Sequence, residues 1–137
     1  MSLYILDTDH ITLHQHNHPQ VSAQIQKQAR EQIVTTAVTM EEQMRGRLAQ
    51  IAQNKGNLSM AYELLCSTAI YFCDLIILPF DNDAQQQYQK LRSRKIRIGT
   101  LDLRIAAIAL SQNAILVTRN HRDFSQIPEL QFEDWSQ

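Results

Sequence analysis

Short β-prone runs alternate with helical segments along the chain, and this alternation limits the fold more than any other feature. The runs are Leu3–Leu6, Ile33–Thr36, Leu75–Leu78 and Ala114–Thr118, with a short final strand around Phe132. Strands separated by helices join in parallel through right-handed crossovers. We therefore predict a three-layer α/β fold with a central, mainly parallel sheet of four to five strands and helices on both faces.

The segments between the runs have helical periodicity or helix start signals. Thr39 followed by Glu42 has the spacing of a capping box, which would begin a helix. Asn54-Lys55-Gly56-Asn57 is expected to end that helix. The other predicted helices span about Pro19–Gln28, Ser59–Cys73, Asp81–Arg94 and Leu101–Ser111.

The 137 residues are about one ordinary domain, so we expect a single domain over 1–137. A formal net charge of −1 gives no overall basic field, and any nucleic-acid partner must be held by a local patch. Since there is no basic leader and no apolar run of membrane length, we expect a soluble, cytoplasmic protein. Cys66 and Cys73 are predicted to be reduced core residues.

Acidic and amide side chains follow the predicted strands, where the carboxyl ends of a parallel sheet create a ligand-binding edge. Carboxylates without His or Cys suit hard cations such as Mg²⁺ or Mn²⁺, and such ions assist phosphate-ester cleavage. The residues concerned are Asp7, Asp9, Glu41, Glu42, Asp102, Asn120 and Asp123.

A structural interpretation of each acid is also open, because acids are favoured in the first turn of a helix. Asp7 could cap the helix that follows it, Glu42 fits the capping box, and Asp102 follows a candidate cap at Thr100. Convergence of these acids at one edge would favour a functional site, since unpaired carboxylates repel one another.

Four blocks of the sequence, in order, resemble the signature blocks of VapC-type PIN domains. They are Tyr4–Asp9, Thr36–Glu42 followed by Gly46, Gly99–Ala107, and Leu116–Phe124, and the ending Phe132-Glu133-Asp134-Trp135 is also similar to family members. The resemblance spans nearly the whole chain. It implies a PIN-like fold and a metal-dependent endoribonuclease, a hydrolase that acts as the toxin of a toxin–antitoxin pair.

Matched block by block, Asp7, Glu42 rather than Glu41, and Asp102 take the places of the family's metal-binding acids. Asn120 is the fourth candidate catalytic residue and stands where many members have Asp, which leaves a second metal position open together with the role of Asp123. Asp9 is a candidate accessory metal ligand. The resemblance further implies Mg²⁺ or Mn²⁺ as cofactor, an RNA substrate for which a tRNA is a plausible candidate, a VapB-like antitoxin and a homodimer.

Other polar residues near the strand ends have weaker signals. Thr8 and Thr118 are candidates for orienting ligands or waters. The histidines fit no defined metal site and are expected on a solvated loop or helix face; they are His10, His14, His16 and His18. Arg97, Arg104 and Arg119 belong to a basic cluster that is a candidate contact for RNA phosphates.

Three other functions remain open from the sequence. Asp7-Thr8-Asp9 resembles the nucleophile loop of haloacid-dehalogenase-like phosphatases, but no later acidic segment of that family follows. Asn120 leaves room for a degenerate PIN protein that binds a metal or an antitoxin without nuclease activity. A DNA-cleaving relative is the third alternative.

Overall fold

A computed structural model of the protein describes residues 2–53 and 56–137. Over these residues it contains five strands, β1 Tyr4–Leu6, β2 Ile33–Thr36, β3 Ile76–Leu78, β4 Ile115–Val117 and β5 Gln131–Glu133. It also contains seven α-helices, α1 Thr8–Gln15, α2 Pro19–Gln26, α3 Ala37–Gln53, α4 Leu58–Cys73, α5 Asn82–Ser93, α6 Thr100–Ser111 and α7 His121–Phe124. Asn54 and Lys55, predicted to help end α3, lie outside the described residues.

The five strands of the described residues form one sheet in the order β3-β2-β1-β4-β5, and all four pairings are parallel. β1 lies in the centre, with Ile5 opposite Val34 on one side and Leu116 on the other. Because the strands are parallel, all of their carboxyl ends lie at one edge of the sheet. The predicted parallel sheet is confirmed.

The two faces of the sheet are buried in two separate hydrophobic clusters. Ile5 and Leu116 point into a cluster built with α5 and α6, whereas their neighbours Leu6 and Val117 point into a cluster that includes Phe72 of α4 and the C-terminal Trp135. Successive side chains of a strand point to opposite faces, so each short strand is covered by helices on both sides. This arrangement confirms the three predicted layers.

Two helices begin directly where a central strand ends, each with its own cap. Asp7 Oδ1 accepts a hydrogen bond from the backbone N–H of His10 at 2.9 Å and caps α1. Thr36 Oγ1 accepts from the backbone N–H of Thr39 at 3.0 Å, and α3 already begins at Ala37. The predicted capping box of Thr39 and Glu42 is therefore wrong, and Glu42 lies in the second turn of α3.

The two cysteines are free, as predicted, but their predicted burial and the predicted exposure of one histidine are wrong. Cys66 and Cys73 are exposed, because α4 buries only Thr68 and Phe72 among its side chains. His10 is fully buried beneath the sheet edge, whereas the sequence pattern predicted a solvated side chain. None of the helices in residues 2–53 and 56–137 is long and apolar enough to cross a membrane.

Candidate active site

Four segments deliver polar side chains to the carboxyl edge of the sheet. Asp7 follows β1, Glu42 lies on α3 after β2, Asp102 lies in the first turn of α6, and Asn120 follows β4. The hydroxyl of Thr8 donates to Glu42 Oε1 at 2.7 Å, which ties α1 to α3. The Thr8 hydroxyl is thus in direct contact with the carboxylate of Glu42.

The electrostatics of Asp102 show that the acids share one region. Burial, followed by the charges of Asp7 and Glu42, raises the pKa of Asp102 from 3.8 to about 6. The hydrogen bond from Asn120 acts in the opposite direction, and the charge of Asp123 adds to the increase. Asp7, Glu42 and Asp123 are therefore close enough to Asp102 for their charges to act on its carboxyl.

Asp7 is the most enclosed of these acids, with 6% of its surface exposed. Its backbone N–H donates to the carbonyl oxygen of Val117 at 3.1 Å, which fixes its position between β1 and β4. Its Oδ1 lies 3.2 Å from Nδ1 of His10 in addition to capping α1. The carboxylate is thus held rigidly through one of its two oxygens.

Asn120 bridges two acids. Its Nδ2 donates to Asp123 Oδ2 at 2.9 Å and, more weakly, to Asp102 Oδ2 at 3.4 Å, while its Oδ1 accepts from the backbone N–H of Asp123. The cap that Oδ1 forms on α7 fixes the orientation of the amide. Asn120 therefore presents donors rather than a negative charge to the acids, and Asp123 is part of the cluster.

Comparison with known proteins agrees with this architecture. The PIN domain family matches residues 4–130. Ribonuclease VapC1 of Haemophilus influenzae strain R2866 is 32% identical over 98% of both chains. The chain belongs to the VapC family of PIN-domain proteins.

Solved structures of VapBC complexes share the fold of this VapC-family chain. The VapBC-1 structure from nontypeable Haemophilus influenzae has a TM-score of 0.77 at 27% identity, and the similarity covers 98% of this chain and 99% of that one. VapBC2 from Rickettsia felis, bound to a DNA fragment from its promoter, has a TM-score of 0.76 at 26% identity, over 97% and 98% of the two chains.

Asp9 is the remaining predicted ligand. Its side chain is exposed and forms no hydrogen bond within the described residues. Within the same residues, no group of three or more His, Cys, Asp or Glu side chains is arranged so that it could hold a metal ion as it stands. Asp7, Glu42 and Asp102 are thus close enough to influence one another without forming a ready-made cage.

The basic residues predicted to contact RNA differ in how they are held. The Arg104 guanidinium lies 5.6 Å from the centre of the Tyr88 ring, a cation–π contact between α6 and α5. Arg97 and Arg119 have exposed side chains. In the described part of the chain, no salt bridge joins an Arg or Lys to Asp7, Glu42 or Asp102, so the negative charge of the cluster is not offset by a neighbouring cation.

Sequence reasoning missed one residue of the site, His10, and left Asp123 open. The signal for His10 was its place three residues after Asp7, which puts both residues on the same side of the first helical turn. That spacing did not reveal burial, because the C-terminal segment that covers His10 lies 125 positions away in the sequence.

Proposed function

We propose that this chain is a metal-dependent endoribonuclease and the toxin of a VapBC-like toxin–antitoxin pair. One observation supports the proposal most directly. Acids from three segments lie at the carboxyl edge of the sheet, and burial together with the charges of Asp7 and Glu42 raises the pKa of Asp102 to about 6. Acids that are held close to one another without a salt bridge are costly for stability and are therefore typical of a functional site.

The donor chemistry fits Mg²⁺ or Mn²⁺. Asp7, Glu42 and Asp102 offer only oxygen atoms, which hard divalent cations prefer. Mg²⁺ keeps several waters and often contacts only one or two protein carboxylates directly, so a ready-made cage is not required. We assign the metal to these three acids, with Asp9 as an accessory ligand at the rim.

The residues around the acids have distinct roles in this proposal. Thr8 holds Glu42 Oε1 through its hydroxyl and so fixes the direction of that carboxylate. Asn120 places an amide donor between Asp102 and Asp123, which lowers the repulsion between them. When bound, the cation supplies the means to deprotonate a water and to offset charge on the phosphodiester. The reaction needs no covalent nucleophile from the protein.

RNA is the proposed substrate, and a tRNA is the candidate within that class. Because the net charge is −1, phosphate contacts must come from a local set of basic side chains. We assign Arg97, Arg104 and Arg119 to this role. Arg104 lies two residues after Asp102 on α6, so its guanidinium is connected to the acid cluster through one rigid helix.

A VapB-like antitoxin and a second copy of the chain are the proposed partners. The similar structures from Haemophilus influenzae and Rickettsia felis are VapBC complexes. α4 exposes large apolar side chains that are unusual on a protein without partners, such as Met60 with 64% and Ile70 with 66% of the surface exposed. This surface supports association with another protein chain.

The test is cleavage of total bacterial RNA by the purified chain, freed of antitoxin, with Mg²⁺ or Mn²⁺, followed by sequencing of the new RNA ends. Discrete cuts are expected, and EDTA or Asp102→Asn should abolish them. Asp83→Asn, an exposed acid on α5, is the matched control and should cut normally. Intact RNA with the unaltered chain, despite measured Mn²⁺ binding, would instead favour the degenerate binding protein.

A further inference from the structure

His10 is a fully buried histidine whose two ring nitrogens both have partners. Nδ1 lies 3.2 Å from Asp7 Oδ1, and Nε2 accepts a hydrogen bond from the backbone N–H of Trp135 at 3.2 Å. A buried polar ring without such partners would be costly. The ring therefore connects the first acid of the cluster to the C-terminal segment.

The hydrogen bond from Trp135 determines where the ring proton lies. A peptide N–H can only donate, so Nε2 of His10 must carry no proton. A neutral imidazole then has its proton on Nδ1, which donates to Asp7 Oδ1. Asp134 Oδ1 lies 3.5 Å from Nε2, beyond a normal hydrogen bond, and it accepts instead from the backbone N–H and hydroxyl of Ser136 at 2.8 and 2.6 Å.

In this tautomer the two oxygens of the Asp7 carboxylate have different roles. Oδ1 accepts from the backbone N–H of His10 at 2.9 Å and from the ring of the same residue. Oδ2 accepts no hydrogen bond from the residues that the structure describes. The plane of the carboxylate is thereby fixed, and one oxygen is kept available.

The C-terminal segment is itself anchored, so it can hold the ring. The Trp135 side chain is buried, its ring centre lies 5.2 Å from that of Tyr4, and its Nε1 donates to Glu133 Oε1 at 2.9 Å. Tyr4 belongs to β1, the strand that ends at Asp7. The ring of His10 is therefore held between two parts of the same rigid core.

The geometry points to His10 as a positioning residue that holds Asp7 Oδ1 through its Nδ1 proton and so presents Oδ2 to the divalent cation. This inference rests on the metal-dependent function proposed above. Hydrogen-bond partners of ligating carboxylates orient them, and their removal weakens metal binding. The C-terminal segment takes part in the site through the Trp135 N–H, although it contributes no side chain to the acid cluster.

The first test uses the unaltered, metal-free protein. Labelling histidine with ¹⁵N and recording the ring nitrogen spectrum identifies which nitrogen of His10 carries the proton. A proton on Nδ1 is the expected result. A proton on Nε2 alone would overturn the proposal, because that ring could not donate to Asp7. This measurement needs no variant and does not depend on nuclease activity.

The second test compares Mn²⁺ affinity, measured by calorimetry and by electron paramagnetic resonance, among variants of similar shape. His10→Leu removes the donor, whereas His10→Asn keeps an N–H near the position of Nδ1. We expect Mn²⁺ binding about 10- to 100-fold weaker in the Leu variant and within about threefold of the unaltered protein in the Asn variant. Equal losses in the two variants, or none, would refute the positioning role.

His14→Asn is the matched control, since His14 lies one turn further along α1 and its Nδ1 is 2.6 Å from the Tyr71 hydroxyl. It should leave the Mn²⁺ affinity unchanged. If the unaltered protein itself binds no Mn²⁺, the metal-dependent function fails. If it binds Mn²⁺ and the His10 variants bind equally well, only the positioning role fails.

Discussion

Replacing Asp102 with Asn is expected to stabilise the metal-free protein while removing its RNA cleavage. Burial and the charges of Asp7 and Glu42 raise the pKa of Asp102 to about 6, so the ionised carboxylate is unfavourable in the folded state. Asn has nearly the same shape but no charge. The variant therefore separates the electrostatic cost of the acid from its role in the reaction.

The size of the expected stabilisation follows from the raised pKa of Asp102. A rise from 3.8 to about 6 corresponds to about 3 kcal/mol of unfolding free energy, as an upper limit. Since the carboxyl is partly solvated, screening reduces this to about 1–2 kcal/mol. For a chain of this size, that gain raises the melting temperature by roughly 4–8 °C.

The pH dependence has a defined sign. A carboxyl whose pKa is higher in the folded state stabilises the fold while it is protonated, and this contribution is full below the unfolded value of 3.8. It is lost as the pH rises through about 6. The advantage of Asp102→Asn should therefore be largest at pH 7.5 and should shrink as the pH is lowered towards 4.

The assay is urea and thermal unfolding of both proteins in EDTA at several pH values between 4 and 8, together with Asp83→Asn as a control for a lost surface charge. The difference in unfolding free energy between Asp102→Asn and the unaltered protein measures the effect of the Asp102 carboxyl, because all other acidic groups are present in both proteins. A variant that is less stable at neutral pH, or whose advantage does not change with pH, would refute the reasoning.

Three further predictions concern neighbouring residues. Thr8→Val removes the hydrogen bond to Glu42 and should lower kcat/KM by roughly 10-fold, whereas unchanged kinetics would contradict its role. Asn120→Asp adds a charge beside Asp102, so calorimetry should show tighter Mn²⁺ binding and melting curves a less stable metal-free protein. Arg104→Ala should weaken RNA binding and reduce the slope of log affinity against log salt by about one, and an unchanged slope in salt titrations would exclude a phosphate contact.

The amide at position 120 lies between two acids of the cluster. Its Oδ1 is used to cap α7, and its Nδ2 faces Asp102 and Asp123. A donor in that place stabilises the two acids without adding charge. The amide therefore lowers the repulsion between Asp102 and Asp123, and the Asn120→Asp variant tests that interpretation directly.

Much of the fold and of the acid cluster could be predicted from the sequence alone. The alternation of strands and helices required parallel crossovers, and parallel strands place all of their carboxyl ends together. Asp7, Glu42 and Asp102 follow strands or open helices and were therefore candidates for this edge, and the resemblance to VapC-type PIN domains indicated Glu42 rather than Glu41. Local patterns sufficed for the order of strands and helices, whereas α3 begins at Ala37 with Thr36 as its cap and not at the predicted Thr39.

Only the tertiary structure decided which side chains are covered and by what. The backbone N–H of Trp135 contacts the buried ring of His10, and the hydroxyl of Thr8 sets the direction of the Glu42 carboxylate. Cys66 is exposed on α4. The two contacts join residues far apart in sequence. Burial and hydrogen-bond partners are properties of the packed chain, and no local periodicity specifies them.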